Sequence, residues 1–211
     1  MPLSLTAMAR FAVLLLLISV AGVNADTIFD NLAYGSGSDD SLASDGPLAA
    51  SFTTGASGFS FDDLVISLDD PTPADGGSLV VTLNSDTNTT TPGSAVDTLG
   101  TILDSSLITS NSLIDLSSFG TINLAPDTVY WIELTESGAS SAGWQYATGS
   151  GGTGTAGEFY YYDGTSYPDT DGGFLMSVSD VPEPRWGGIL LLGIAFLAVK
   201  LRPQLRSLVT K

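Results

Sequence analysis

The feature that most constrains the fold is a series of short apolar runs in which every second side chain is apolar. In the segment SLVVTL, the side chains of Leu79, Val81 and Leu83 fall on one side of an extended chain. A period of two residues is typical of a strand with one buried face, whereas a helix has a period of about 3.6 residues. The same alternation recurs in the segments FSFDDLVISL, TVYWIEL, EFYYYDG and GFLMSVS.

Two of these runs predict which side chains share a face. In FSFDDLVISL, a bulge at residues 62–63 separates two sets of apolar side chains, Phe59 and Phe61 before it, and Leu64, Ile66 and Leu68 after it. In TVYWIEL, one face carries three apolar side chains and the other is mixed: Tyr130, Ile132 and Leu134 on the first, and Val129, Trp131 and Glu133 on the second.

Turn-forming stretches such as DDPTPADGG and TGSGGTGTAG separate the runs, as is typical of short antiparallel strands. No segment of residues 26–180 shows a long helical period, and the stretch SAVDTLGTILDSSLI fits neither pattern clearly. We therefore expect an all-β domain, a β-sandwich or a jelly roll, over residues 26–180.

The charge distribution excludes several classes of partner. The 211-residue chain carries 6 Lys and Arg against 23 Asp and Glu. All the bases lie in the terminal segments, and every acid except Glu183 lies between Asp26 and Asp180. A body without Lys or Arg repels phosphate polymers and anionic lipid, so we expect no nucleic-acid binding. The same body attracts cations.

The residue types of the body leave few catalytic arrangements. The chain has no Cys and no His, and the body has no Lys, so its Ser and Thr residues lack a base that could activate them. Glycoside hydrolysis needs only two carboxylates, which Glu133, Glu136 and Glu158 could supply. Trp144 and Tyr146 could line a sugar platform, and exposed tyrosines in the last third of the body would favour polysaccharide contact. We expect no enzyme and keep a glycoside-active enzyme as the weaker alternative.

Aspartate clusters make calcium the metal to consider, because Ca²⁺ takes carboxylate and carbonyl oxygens. The clusters lie at residues 39–40, 62–63, 69–70 and 169–171, and none fits the EF-hand pattern. Aspartate is also common in turns for reasons unrelated to metals. We expect no obligatory cofactor, with Asp62, Asp63, Asp69 and Asp70 as the candidate calcium ligands.

The N-terminus has the organisation of a secretory signal. Arg10 supplies a positive flank, residues 11–23 are apolar, and Val23-Asn24-Ala25 places small residues where signal peptidase reads them. The apolar run is shorter than the roughly 20 residues of a membrane span, so an uncleaved anchor is the weaker alternative. We expect a signal helix at residues 1–25, with signal peptidase cutting between Ala25 and Asp26.

Three segments follow one another at the C-terminus: the motif VPEP at residues 181–184, an apolar run at 186–199, and a basic tail. Leu201 and snorkelling bases extend the short run to a membrane helix at 186–201. Positive charge after an apolar segment holds that end in the cytoplasm, so the body lies outside. The bases that stop transfer, within residues 200–211, are Lys200, Arg202, Arg206 and Lys211.

The motif itself is stiff. Pro182 and Pro184 fix their own φ angles and bias Val181 and Glu183 towards extended conformations. The motif is therefore an extended peptide next to the membrane. Physical chemistry alone leaves two interpretations equal: a peptide presented to an enzyme groove, or a stiff linker between the domain and its anchor.

Motif, apolar run and basic tail together resemble the PEP-CTERM sorting signal of exported bacterial proteins. Four residues match the family motif position by position: Val181, Pro182, Glu183 and Pro184. The resemblance implies an exosortase, a membrane-embedded cysteine enzyme of transpeptidase type, as the partner. It also implies cleavage near the motif and passage from an inner-membrane intermediate to the cell surface or exterior. Discarding the hydrophobic tail parallels the processing of GPI signals.

A second resemblance concerns the body. The phrases SFTTGASGFSFDDLVISL, PGSAVDTLGTIL and INLAPDTVYWIEL are similar to the choice-of-anchor domains of bacterial surface proteins, most of all the type R group, over residues 28–178. That resemblance implies a β-sandwich-like exported domain and names no activity.

The sequence thus predicts three parts: a signal peptide at 1–25, an acidic β-sandwich at 26–180, and a sorting signal at 181–211. The expected function is that of a cell-surface or matrix protein with a structural or adhesive role. Association with exopolysaccharide is what the resemblance to the sorting family implies. A calcium-dependent carbohydrate-binding module is the alternative.

Overall fold

The computed structural model describes residues 26–73, 75–88, 90–117, 119–149, 152–154, 156–168 and 173–180, which belong to one compact unit, Ala25–Val181. The predicted signal peptide and the predicted sorting signal lie outside these residues. Within the described ranges, no helix combines the length and the apolar character that crossing a membrane requires.

The described residues form fifteen strands, one helical turn and two 3-10 turns. The first eight strands are β1 (Thr27–Asp30), β2 (Ser36–Ser41), β3 (Leu48–Thr53), β4 (Phe59–Phe61), β5 (Asp63–Asp69), β6 (Ser78–Asp86), β7 (Pro92–Leu103) and β8 (Ser112–Leu116). The other seven are β9 (Ile122–Leu124), β10 (Val129–Ser137), β11 (Gly143–Ala147), β12 (Thr153–Gly154), β13 (Ala156–Tyr162), β14 (Thr165–Pro168) and β15 (Met176–Ser179). The helical turn is α1 (Leu42–Asp45), and the 3-10 turns are Leu32–Tyr34 and Asp104–Ser106.

The strands form two large sheets and one small one. The first sheet has the order β12-β1-β15-β5-β11-β2, and β8 also pairs with β5. The second sheet has the order β14-β13-β3-β10-β6-β7, and β4 pairs with β9 alone. Each described pair of strands is antiparallel. The prediction of an all-β domain is confirmed.

The core lies between the two large sheets, because one hydrophobic cluster contains side chains from both of them. The predicted face of SLVVTL is confirmed, since Leu79, Val81 and Leu83 are each 0% exposed on β6. Burial of one such side chain contributes about 1.5–3 kcal/mol relative to its exposure. The alternating runs are therefore what holds the sandwich-like arrangement together.

The segment FSFDDLVISL does not form one bulged strand. Strand β4 pairs with β9 in the small sheet, whereas β5 lies in the first sheet, and Asp62 separates them. The backbone N–H of Asp62 donates to the carbonyl of Ser179 at 3.3 Å, which fixes this break beside β15. The apolar side chains predicted to share a face after the break are all buried: Leu64, Ile66 and Leu68.

The ambiguous stretch SAVDTLGTILDSSLI contains strand β7 up to Leu103, followed by the 3-10 turn. Its period is irregular because the register between β6 and β7 shifts, for example where Val81 faces Gly100 and Thr82 faces Thr98. The extra residue between these partners, Leu99, is buried. A bulge adds one residue to one strand and so breaks the period of two that identifies a strand in sequence.

One buried polar side chain joins the start of the body to its end. Asn31, 2% exposed, lies directly after β1. Its Oδ1 accepts a hydrogen bond from the Met176 N–H at 2.7 Å, and its Nδ2 donates to the carbonyl of Phe174 at 3.1 Å. These bonds satisfy backbone groups of two buried residues, Met176 in β15 and Phe174 shortly before it.

The Asn31→Ala substitution removes the acceptor of the Met176 N–H and one donor to the Phe174 carbonyl, both in the interior. We expect the Asn31→Ala variant to lose about 1–3 kcal/mol of free energy of unfolding in urea denaturation. The control is Asn123→Ala on the exposed part of β9, which should change stability by less than about 0.5 kcal/mol. Equal losses in both variants would contradict the role given to Asn31.

Candidate functional site

The four predicted calcium ligands do not meet at one place. Asp62 and Asp63 lie at the start of β5, whereas Asp69 and Asp70 lie at its end. A strand rises about 3.3 Å per residue, so the two pairs are roughly 20 Å apart. Ligands of one calcium ion must lie about 2.3–2.6 Å from it, so one site formed by all four residues is excluded.

An acidic cluster, formed by Asp39, Asp40, Asp45 and Asp69, lies at the end of β5. Gly143 of β11 is the register partner of Asp69 on β5, and β11 also pairs with β2, which carries Asp39. The Asp39 carboxylate occupies the space that a side chain at position 143 would need. Glycine at this position therefore allows acids of two different strands to approach each other.

Two carboxyl groups of the cluster, those of Asp40 and Asp69, have raised pKa values and so hold protons more tightly than ordinary aspartates. Burial, together with smaller effects from the charges of Asp45 and Asp39, raises the pKa of Asp40 to about 6. Burial also raises the pKa of Asp69, with smaller effects from the charges of Asp39 and Asp70. No Lys or Arg lies in the body to oppose these effects.

Next to the cluster, Asp70 is fully buried. Its Oδ1 accepts hydrogen bonds from the Ser141 hydroxyl at 2.7 Å and from the Thr72 N–H at 3.0 Å. Its Oδ2 and the Oδ1 of Asp69 are buried without a hydrogen-bond partner. Among the residues whose placement is described, no group of three or more acidic side chains has the geometry to hold a metal ion.

At the opposite end of β5, Asp63 forms a second acidic pair with Asp115 of β8. The Ser179 hydroxyl donates to Asp63 Oδ2 at 3.1 Å, and Asp63 Oδ1 is buried without a partner. Burial is the largest cause that raises the pKa of Asp63. The Ser179 hydrogen bond lowers it, and the neighbouring Asp115 raises it.

Two of the glutamates considered for the weaker alternative of glycoside hydrolysis, Glu133 and Glu136, do not form a catalytic pair on β10. Glu133 and Glu136 are three residues apart, so they point to opposite faces of the strand. Glu133 accepts a hydrogen bond from Asn84, and burial raises its pKa, while Glu136 accepts from the Ser140 N–H at 2.9 Å. Two carboxylates must face the same bond to hydrolyse a glycoside, so this pair is excluded. Glu158 lies in β13.

Trp144, which the sequence allowed as part of a sugar platform, is a core side chain. Trp144 is 0% exposed, stacks on Phe174 with ring centroids 4.8 Å apart, and donates its indole N–H to the carbonyl of Leu175 at 3.0 Å. Tyr146 packs against the same core and is only partly buried. Trp144 therefore fills the sandwich and leaves no face for a sugar ring.

The outer face of β10 holds an arrangement that the alternation did not predict. Trp131, on the face opposite Ile132, is also 0% exposed, and its indole N–H donates to Asp86 at 2.9 Å. Asn84, the register partner of Trp131 on β6, bonds to Glu133 on the same face. The signal in the sequence was the apolar Trp131 on the face that is mixed in composition, because a strand buried on both faces carries apolar side chains on both.

The two ends of the described body meet. The backbone N–H of Asp26 donates to the Asp180 carboxylate at 2.5 Å, and the Asp180 N–H donates to the Asp26 carbonyl at 3.0 Å. Asp26 follows the predicted signal-cleavage site, and Asp180 precedes the predicted motif. The remaining predicted site residues lie outside the described part of the chain: Ala25, Val181, Pro182, Glu183, Pro184, Lys200, Arg202, Arg206 and Lys211.

No protein-family model matches this chain, and no curated protein matches it.

Four carboxyl groups have raised pKa values: Asp40, Asp63, Asp69 and Glu133. The folded state binds their protons more tightly than the unfolded chain does. Their contribution to stability is therefore complete below the unfolded pKa of about 4 and is lost as pH rises through the folded pKa. We expect the urea midpoint to rise when the pH is lowered from about 7 to about 5, the range in which Asp40 titrates.

The Asp40→Asn variant should raise the urea midpoint at pH 7 and reduce its dependence on pH. Asp97→Asn, on the exposed part of β7, makes the same change in net charge and is the control. A midpoint that falls on acidification would contradict the expectation. Equal effects of both variants would show that general charge repulsion decides the pH dependence and that burial of Asp40 does not.

Proposed function

We propose that this chain is an exported bacterial surface or extracellular-matrix protein whose C-terminus is a signal for an exosortase-type enzyme. The observation that carries the proposal is the order of segments around a body without bases. A signal-like segment precedes residues 26–180, and the VPEP motif, an apolar run and a basic stop follow them. Signal peptidase and the sorting enzyme would each remove one of the two segments that contain Lys and Arg.

One structural fact supports the proposal. Asp26 and Asp180 are hydrogen-bonded neighbours, so both predicted cuts would fall next to the same side of the sandwich. Signal cleavage would convert the Asp26 N–H into an ammonium group facing the Asp180 carboxylate, a favourable charge pair in a body that otherwise has no cation. Removal of both segments would leave a compact acidic sandwich.

The proposed role is structural or adhesive within an exopolysaccharide matrix, and it is not catalytic. The absence of His, Cys and body Lys supports this, as does the placement of Glu133 and Glu136 on opposite faces. The strong negative charge keeps the body soluble and repels copies from one another. The association with polysaccharide rests on the resemblance to the sorting family.

The decisive measurement is the intact mass of the exported protein. We expect a species that begins at Asp26 and ends between residues 181 and 186. Glu183→Gln in the motif should cause the tail to be retained, whereas Pro203→Ala in the basic tail, the control, should leave processing unchanged. Retention of residues 186–211 in all exported protein would instead identify the motif as a stiff linker.

A second candidate function is calcium binding at the end of β5. The supporting observation is the Oδ2 of Asp70, which is fully buried and accepts no hydrogen bond, next to the unpartnered Oδ1 of Asp69. Calcium coordinates carboxylates together with backbone carbonyls and water, so two acidic residues can contribute to a site.

If calcium binds there with a Kd of about 0.1 mM, as in extracellular modules, 10 mM calcium should stabilise the fold by about 2.7 kcal/mol. The readout is the melting temperature, which a chelator should return to its starting value. Asp69→Asn and Asp70→Asn should abolish the shift, and Asp97→Asn should retain it. An equal shift with magnesium, or no shift, would exclude this candidate.

A further inference from the structure

The two large sheets end side by side in a pair of edge strands. Among the described strands, β7 pairs with β6 alone and β8 with β5 alone. A Cβ atom placed on Gly100 of β7 would lie 3.0 Å from the Leu116 side chain of β8, so the two strands adjoin. We call residues 92–116, from the start of β7 to the end of β8, the open edge.

The open edge lacks two of the usual protections of a sheet edge. Exposed edges are ordinarily blocked by Lys, by Pro within the strand or by bulges. The open edge contains no Lys or Arg, and its only Pro is Pro92 at the start. It carries four of the exposed large apolar side chains of the body: Val96 (49%), Leu103 (60%), Ile108 (59%) and Leu113 (64%).

Of the two strands, β8 is better suited to accept another strand. The register of β7 is interrupted by bulges, which bend a strand and disturb its edge. Strand β8 pairs with β5 without interruption from Leu116 to Ser112. A regular strand presents its free backbone groups at the spacing that an added strand needs.

The charges next to β8 favour a cationic occupant. Asp115 faces Val65 across the ladder, so Asp63 lies diagonally beside it on the same face. Asp63 Oδ1 is buried and has no hydrogen-bond partner. A second copy of the body would bring further carboxylates and no base, whereas a Lys or Arg side chain would offset the charges of Asp63 and Asp115.

We propose that β8 accepts an extended, apolar and basic strand from another protein, which lengthens the first sheet by β-strand addition. Leu113 and Asp115 are two residues apart and share the outward face. The added strand therefore carries an apolar residue and a Lys or Arg two positions apart on one of its faces. This inference concerns the partner of the sandwich and does not depend on how the chain is sorted.

The probe is a labelled synthetic decapeptide whose one face alternates Val and Lys and whose other face carries Thr, in the repeat Val-Thr-Lys-Thr. Fluorescence anisotropy with the full chain in detergent is the measurement. Asp115→Asn should weaken binding about tenfold, since it removes the charge that pairs with Lys. Leu113→Thr should also weaken it, without any change in charge. The matched controls on β7, Asp97→Asn and Leu103→Thr, should change affinity less than about twofold.

The ladder itself is tested by a decapeptide of the same composition with one central Val replaced by Pro, which removes a backbone donor. We expect this peptide to bind at least about tenfold more weakly. Equal binding of both peptides, or equal losses for Asp115→Asn and Asp97→Asn, would show general electrostatic attraction and overturn the proposal. Absence of binding would also overturn it.

Sedimentation velocity tests whether a second copy of the chain binds to β8 instead. A dimer of the full chain that Leu113→Thr dissociates would assign β8 to a second copy and overturn the proposal. Circular dichroism shows whether each variant is folded. If Leu113→Thr does not fold, the comparison of Asp115→Asn with Asp97→Asn still tests whether the peptide binds to β8.

Discussion

Every carboxylate that the body buries must be held by neutral hydrogen-bond donors, because no Lys or Arg lies between Asp26 and Asp180. Serine hydroxyls donate to Asp63, Asp70 and Asp104. An amide donates to Glu133 and an indole to Asp86. Because these donors come from strands and loops distant in sequence, the acids connect neighbouring strands and loops much as salt bridges would. The polar side chains of the sandwich are arranged to meet this requirement.

Neutral donors do not satisfy every buried carboxylate oxygen of the described residues, and the carboxylate oxygens left without a partner lie in two places. The carboxylate oxygens without partners belong to Asp63, Asp69 and Asp70, at the two ends of β5. Strand β5 is central to the first sheet, so both of its ends are partly shielded from water. Buried acids in this situation retain protons or recruit cations. The chemistry that the body offers is therefore that of an acceptor of positive charge.

Alternation in the sequence predicted the buried faces of β5 and β6 because the period of a strand is a local property. It did not predict the fate of Trp131 and Trp144, since the burial of an aromatic ring depends on what covers its strand. It also left β7 ambiguous, because its bulges are set by pairing with β6. The aspartates at the two ends of β5 were identified as candidates, but their separation into two sites required the strand to be placed.

By itself, the sequence determined an antiparallel β class and an interior without ion pairs, because side-chain period and composition are independent of how strands are ordered. It also determined the order of segments on which the proposed sorting rests. Only the tertiary structure decided which acids approach each other, since Asp39 and Asp69 are joined by pairing of β2, β11 and β5. It likewise decided that β7 and β8 lie side by side and form the open edge. Strand order depends on contacts between residues distant in the chain, and no local pattern specifies them.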